Sequence, residues 1–160
     1  MTPYSDQLSG RDPLEVLTET PGRIRELAAK LGLDGFNRSY APGKWTARQI
    51  LAHLAQVEMM FGTRFRQAVT LDDYAAQPFD QDRWMAREPL PEGTEAIDAF
   101  CGMRQWNLAF FRSLSHEDQA RTFRHPERGT LSVDWMLEVL AGHDLNHLAQ
   151  LEMIASGGGQ

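Results

Sequence analysis

Apolar residues recurring at intervals of three and four constrain this chain more than any other feature. Ile50, Leu54, Val57, Phe61, Phe65 and Ala68 form one such series, and Val133, Met136, Leu140, Leu151 and Ile154 lie along another. That period places each series on one face of an α-helix, and a helix with one apolar face must bury it against a neighbour. Strand signals are nearly absent: no Asn-Gly turn and no run of alternating β-branched residues occurs. The expectation is an all-α protein.

Four long helices are predicted. The first runs from about Pro13 to Leu31, bent where Thr20-Pro21 restarts it, and is ended by Gly32 and Gly35. The second follows Trp45-Thr46-Ala47-Arg48-Gln49, a capping box in which Thr46 and Gln49 satisfy each other's backbone amides, and continues to about Val69. At ~1.5 Å per residue it is about 34 Å long. A long connection rich in turn formers follows, carrying Tyr74, Phe79, Trp84 and Met85; such a loop is functional or held down by its own aromatics. Thr94 caps a third helix that extends through Leu114, with Ile97, Cys101, Leu108 and Phe111 on one side. Ser115 caps a short turn over His116 to Ala120, and His125-Pro126-Glu127-Arg128-Gly129 reads as a loop. The last helix starts at Ser132 and stops before Gly157-Gly158-Gly159, leaving a frayed tail. Four amphipathic helices in 160 residues suggest one four-helix bundle domain, residues 1–160, with its core over about 13–156 and a glycine-rich tail at 157–160.

Composition excludes several function classes. A net charge of −6 with no Lys/Arg block argues against a nucleic-acid surface. No stretch approaches the ~18 continuous apolar residues of a membrane span, and the polar, proline-broken start does not read as a signal peptide. The one cysteine, Cys101, cannot form an internal disulfide and reads as a small core residue. A soluble, cytoplasmic protein is expected.

The histidines carry the chemistry. His143 and His147 are four apart, hence on one helical face, at positions where the period calls for apolar residues. His53 lies in line with Ile50 and beside Leu54 and Val57 in the second helix. An unmatched buried polar group costs about 1–3 kcal/mol, so three interior imidazoles need partners. A divalent metal offers all three a partner at once, and three protein ligands leave one coordination position open, as in catalytic sites. Hydrogen-bonded core histidines are the competing explanation. His116 and His125, in the connection between the third and fourth helices, are left out of the site.

The segments Pro42-Gly43-Lys44-Trp45-Thr46-Ala47-Arg48-Gln49-Ile50-Leu51-Ala52-His53-Leu54-Ala55-Gln56-Val57-Glu58 and Ala141-Gly142-His143-Asp144-Leu145-Asn146-His147-Leu148-Ala149-Gln150-Leu151 resemble the helix-two and last-helix signatures of the DinB-like superfamily. The similarity extends over about residues 14–155, and Pro78 to Trp84 and His125-Pro126-Glu127 resemble loops of its bacillithiol-transferase branch. Where that branch has histidine, aspartate and histidine around the helix-two ligand, this chain has Ala52, Gln56 and Glu58, an intermediate pattern. The resemblance implies an up-down-down-up bundle, zinc or nickel held by His53, His143 and His147, and frequent homodimers. It also implies use of a low-molecular-weight thiol, such as bacillithiol or mycothiol, as cosubstrate. Membership alone does not select a reaction.

The expected function is a metal-dependent enzyme acting on a small molecule, a thiol S-transferase or related hydrolase. The alternative is a non-catalytic metal-binding or dimeric stress-response module. A substrate pocket is expected among Trp45, Met60, Phe79 and Trp84 if the long loop folds over the bundle mouth. The candidates for proton handling are Glu58, Asp144 and Gln150, with an exposed position on a helix surface as the simpler role for the two carboxylates.

Overall fold

The computed structural model describes residues 2–157. Among them the elements in order are α1 (Ser5–Leu8), α2 (Pro13–Gly35), α3 (Ala47–Thr70), α4 (Gln81–Arg87), α5 (Gly93–Ser113), α6 (His116–Ala120), β1 (Thr122–His125), β2 (Gly129–Ser132) and α7 (Val133–Ala155). The frayed tail expected at the end lies outside the described residues except for its first glycine.

Four of these, α2, α3, α5 and α7, form the bundle, and cross-helix pairs give their directions. Glu58 meets Arg104 and Gly62 meets Asn107, so α3 and α5 run parallel. Thr18 receives Arg112, and Pro21 and Arg25 face Asp98 and Cys101, so α2 and α5 are antiparallel. Towards the start of α3 His53 meets His143, while Phe61 further on shares a cavity with Met136 near the start of α7, so that pair is antiparallel too. The result is the up-down-down-up bundle.

Local chemistry explains the helix ends. Thr46 and Gln49 make the expected capping box, Asp12 caps α2 through the amides of Leu14 and Glu15, and Ser132 caps α7. Helix α5 differs from expectation: the residue at its N-cap is Glu92, whose amide donates to Glu95 Oε2 at 3.0 Å, and Thr94 lies inside the first turn. Gly32 adopts φ 63°, a left-handed conformation that breaks α2 near its end.

Four further elements were not expected: β1, β2, α4 and α1. The loop after Arg121 is a hairpin, with Phe123 opposite Leu131 and Gly129, the first residue of β2 after the turn, at φ 74°. Its strands are four residues each, and Phe123 alone in β1 is buried, which is too short a pattern to show alternation. The long connection is held to it by Arg124, whose amide donates to Tyr74 O and whose carbonyl accepts from Ala76, both at 2.9 Å. Within that connection Asp80 caps the two-turn helix α4, and near the N-terminus α1 packs on α7.

The core divides into two apolar clusters. One contains Leu17, Phe65, Phe111 and Leu140; the other contains Ile24, Ile50, Phe100 and Leu151. Between them, at the same level of the bundle, lie buried polar side chains from α3, α5 and α7. No described helix is long and apolar enough to cross a membrane.

Candidate metal centre

The polar layer has two parts. In the first, His53, His143 and His147 converge. Nε2 of His143 lies 3.0 Å from Nε2 of His53 and 3.1 Å from Nε2 of His147, and all three rings are buried. Three nitrogens bound to one ion at ~2.0–2.1 Å in tetrahedral geometry sit about 3.3–3.4 Å apart, so small side-chain shifts accommodate it. The donor set fits a divalent metal on a second ground. His147 Nδ1 lies 2.8 Å from Gln150 Oε1, a contact that needs the proton on Nδ1 and leaves Nε2 as a lone pair facing the other two rings.

The electrostatics favour the ligating form. Burial, reinforced by His147, lowers the His53 pKa to about 3. Burial likewise holds His143 well below the usual histidine range, with His147, His53 and Arg104 adding to it, and lowers His147 despite Gln150 and Asp144. All three imidazoles are neutral at neutral pH, the state that binds metal. Nδ1 of His53 and of His143 are buried without a hydrogen-bond partner among the described residues, and these two rings are oriented by packing: Trp45 lies 4.9 Å from His53 and Tyr4 lies 5.8 Å from His143, edge-on.

The second part is an ion cluster centred on Arg104, which is 0% exposed. Its Nε and Nη2 donate to Glu58 Oε1 at 2.9 and 2.6 Å, and Nη1 donates to Asp144 Oδ2 at 2.7 Å. Asn107 Nδ2 donates to Glu58 Oε2 at 3.0 Å. Burial alone would lower the Arg104 pKa, but Asp144 and Glu58 outweigh it and raise it. Arg104 Nη1 also donates to the carbonyl of Leu17 at 3.0 Å. Pro21, four residues on in α2, has no N–H to offer that carbonyl, so the proline leaves the acceptor that Arg104 uses.

The expectation that Glu58 and Asp144 are exposed on helix surfaces is therefore overturned: both are fully buried and held by Arg104. Neither lines the cavity beside the histidines. Gln150 sits against His147, with its carbonyl oxygen turned to that ring.

Two cavities meet at the histidines. One, about 260 Å³, is lined by His53 and His143 together with Met60 and Phe79; the other, about 300 Å³, contains Trp45, His147 and Gln150. Tyr4 borders both. Of the four expected pocket residues, Met60 and Phe79 line the first cavity and Trp45 the second, while Trp84 stands behind Phe79, ring centres 5.0 Å apart, and is 40% exposed. His125, excluded on sequence grounds, lines the first cavity because the hairpin carries it there, as does Arg128. Arg104 and Asn107 were missed although both interrupt the apolar face of α5. Tyr4 had no signal, since its place depends on Gly142: a Cβ there would lie 2.4 Å from the Tyr4 Cβ.

An all-α bundle of this topology with three converging buried histidines defines a class, and the comparisons agree. The profile of the DinB superfamily matches residues 17–151, and the chain belongs to that superfamily. A protein of Oceanobacillus iheyensis named as a candidate metal-dependent hydrolase is 29% identical over 139 residues, covering 84% of this chain and 79% of that one. A similarly named protein of Bacillus cereus is 26% identical over 144 residues, 86% of this chain and 80% of its own. Among solved structures, YfiT of Bacillus subtilis is described as a probable metal-dependent hydrolase with an unusual four-helix bundle topology. It superposes with a TM-score of 0.83 at 21% identity, over 91% of this chain and 85% of that one. A mycothiol-dependent maleylpyruvate isomerase superposes with a TM-score of 0.67 at 17% identity, over 94% of this chain and 63% of that one.

Proposed function

We propose that this protein is a metal-dependent enzyme that acts on a small molecule and holds zinc or nickel on His53, His143 and His147. The observation that carries this is the convergence of three buried, neutral imidazoles at the inner end of an open cavity. A divalent ion bound there would supply a Lewis acid that makes a water or a thiol nucleophilic at neutral pH. The chain's own residues do the rest. His147 is fixed in its tautomer by Gln150. Tyr4, its pKa raised by burial, keeps its phenolic proton and is a hydrogen-bond donor at the cavity wall. His125 accepts from the Glu127 amide through Nδ1, which leaves its proton on Nε2 as a second donor.

Hydrolysis is favoured by the names of the relatives, and transfer of a low-molecular-weight thiol by the isomerase that shares the fold. The same reading includes a cytoplasmic homodimer, for which the exposed Met59 and Trp106 offer apolar surface. Elemental analysis of untagged protein tests the metal assignment. Near-stoichiometric zinc or nickel is expected, lost in His53→Ala and His147→Ala; a folded protein that neither carries nor takes up metal overturns it.

A non-catalytic helical module is the second reading, favoured by one observation: Glu58 and Asp144 are locked onto Arg104 and unfree to move protons. Melting with and without chelator, beside a screen of esters, amides and thiol acceptors, separates the two. A large loss of stability on chelation without turnover selects the module.

A further inference from the structure

The cavity that ends on His53 and His143 has a second pole. Arg64 lies three turns beyond His53 on the same face of α3 and lines the same space, as do His125 and Arg128 from the hairpin. Three turns are about 16 Å along a helix axis, and the length of an arginine side chain shortens the gap to roughly 10 Å. Between the poles the walls are apolar, formed by Val57, Met60, Phe61, Phe79, Met136 and Val139.

Arg64 is placed in an unusual way for a cation. It is 8% exposed, donates through Nη2 to the carbonyl of Gln77, and lies 6.0 Å from the centre of the Phe61 ring. It forms no ion pair among the described residues, in contrast to Arg104. The ionisable group that acts on it is Tyr74, whose pKa is raised by burial, so the phenol is neutral and does not balance the guanidinium charge. Glu127, the carboxylate among the lining residues, is exposed at the mouth. A buried, unbalanced cation is costly to a fold, and an arginine fork matches a carboxylate through two parallel hydrogen bonds.

We propose that Arg64, assisted by Arg128 at the mouth, forms an anion-binding subsite, and that the substrate is an amphiphilic small molecule bearing a carboxylate about 10 Å from the group that reacts at the histidines. The inference deepens the metal-enzyme reading and rests on it for the identity of the reacting end. A medium-length apolar body fits the wall between the poles.

Calorimetric titration of zinc-loaded protein with mercaptooctanoic acid and with neutral mercaptooctanol tests the proposal. The acid is expected to bind at least tenfold more tightly than the alcohol. In Arg64→Met that preference falls below about threefold with alcohol binding unchanged, and Arg64→Lys keeps most of it. Equal binding of the two thiols by the wild type, or a full preference in Arg64→Met, overturns the subsite. Should Arg64→Met fail to fold, Arg128→Ala, whose side chain is exposed, is expected to lower the preference about threefold, and an unchanged preference there overturns it. Octanoate and octanol on chelated protein separate this from the metal assignment. Arg64-dependent binding of octanoate, with no gain for the thiols on zinc loading, keeps the subsite and sinks the metal reading. Thiol binding that requires zinc but ignores the carboxylate does the reverse. No preference for either acid in either form also overturns the subsite.

Discussion

The carbonyl of Leu17 accepts a hydrogen bond at 3.0 Å from Nη1 of Arg104, on a helix packed against its own. Leu17 is free to do so because the residue four places on is Pro21, and the same guanidinium reaches Glu58 and Asp144 on the two remaining helices of the bundle. One side chain thus ties all four helices at the level of the histidines. Removing one partner of a buried ion cluster leaves the others uncompensated, a loss of about 3–5 kcal/mol in comparable cases. Arg104→Met is expected to destabilise by that amount, read as a shift in urea midpoint at constant slope. A change under 1 kcal/mol would mean the cluster contributes nothing net.

The proline supplies an independent check. In wild type, Pro21→Ala adds an N–H aimed at a carbonyl that Arg104 already occupies; in Arg104→Met that carbonyl is vacant. Pro21→Ala is therefore expected to stabilise the Arg104→Met background more than the wild type. The coupling should be about 1 kcal/mol in a double-mutant cycle. Additive effects would show that the two groups do not share the acceptor.

How far these features were legible depends on what kind of signal each one leaves. The bundle helices were readable because Ile50 to Ala68 and Val133 to Ile154 repeat one period over several turns. The hairpin was not, since four-residue strands with one buried side chain carry no period. The histidines stood out as polar residues at apolar positions. Arg104 and Arg64 break the same rule, yet an arginine in a stripe reads as a rim residue whose stem reaches out to solvent. His125 and Arg128 reach the cavity through tertiary placement of a turn, for which local sequence has no code.

Gly142 precedes His143 and has no side chain where Tyr4 crosses it. A Cβ built there would meet the Tyr4 backbone oxygen at 2.8 Å as well as its Cβ at 2.4 Å. Gly142→Ala is expected to lift the N-terminal segment off α7, at about 1–3 kcal/mol. Amide exchange around Tyr4 should accelerate. Unchanged protection there would show that the segment can shift to fit the methyl group.

Acid should destabilise the chelated protein in a defined window. In the unfolded chain the three histidines bind protons below about pH 6.5, whereas His53 in the folded protein resists protonation down to about 3, and His143 and His147 are lowered as well. Below pH 6.5 the unfolded state holds more protons, so stability falls as the pH drops towards 3. The slope approaches ~1.4 kcal/mol per pH unit for each histidine that titrates only on unfolding. Urea midpoints measured between pH 7 and 4 on chelated protein check this, with a shallower slope expected in His53→Gln. A pH-independent midpoint over that range would show that the rings protonate in place.

Among the described residues, Gln150 holds the one Nδ1 in the cluster that has a hydrogen-bond partner, at 2.8 Å. An acceptor behind a metal-binding imidazole fixes its tautomer and aims its other nitrogen, and losing one typically weakens metal binding by about 10- to 100-fold. Gln150→Leu keeps the approximate volume and removes the acceptor, so a chelator competition is expected to show a loss of that size. Gln150→Glu, which keeps an acceptor at the same reach, should bind metal at least as well as wild type. The contrast between the two separates an orienting role from simple packing. If Leu and Glu variants retain metal equally, ring stacking alone orients His147, as it does for His53 and His143.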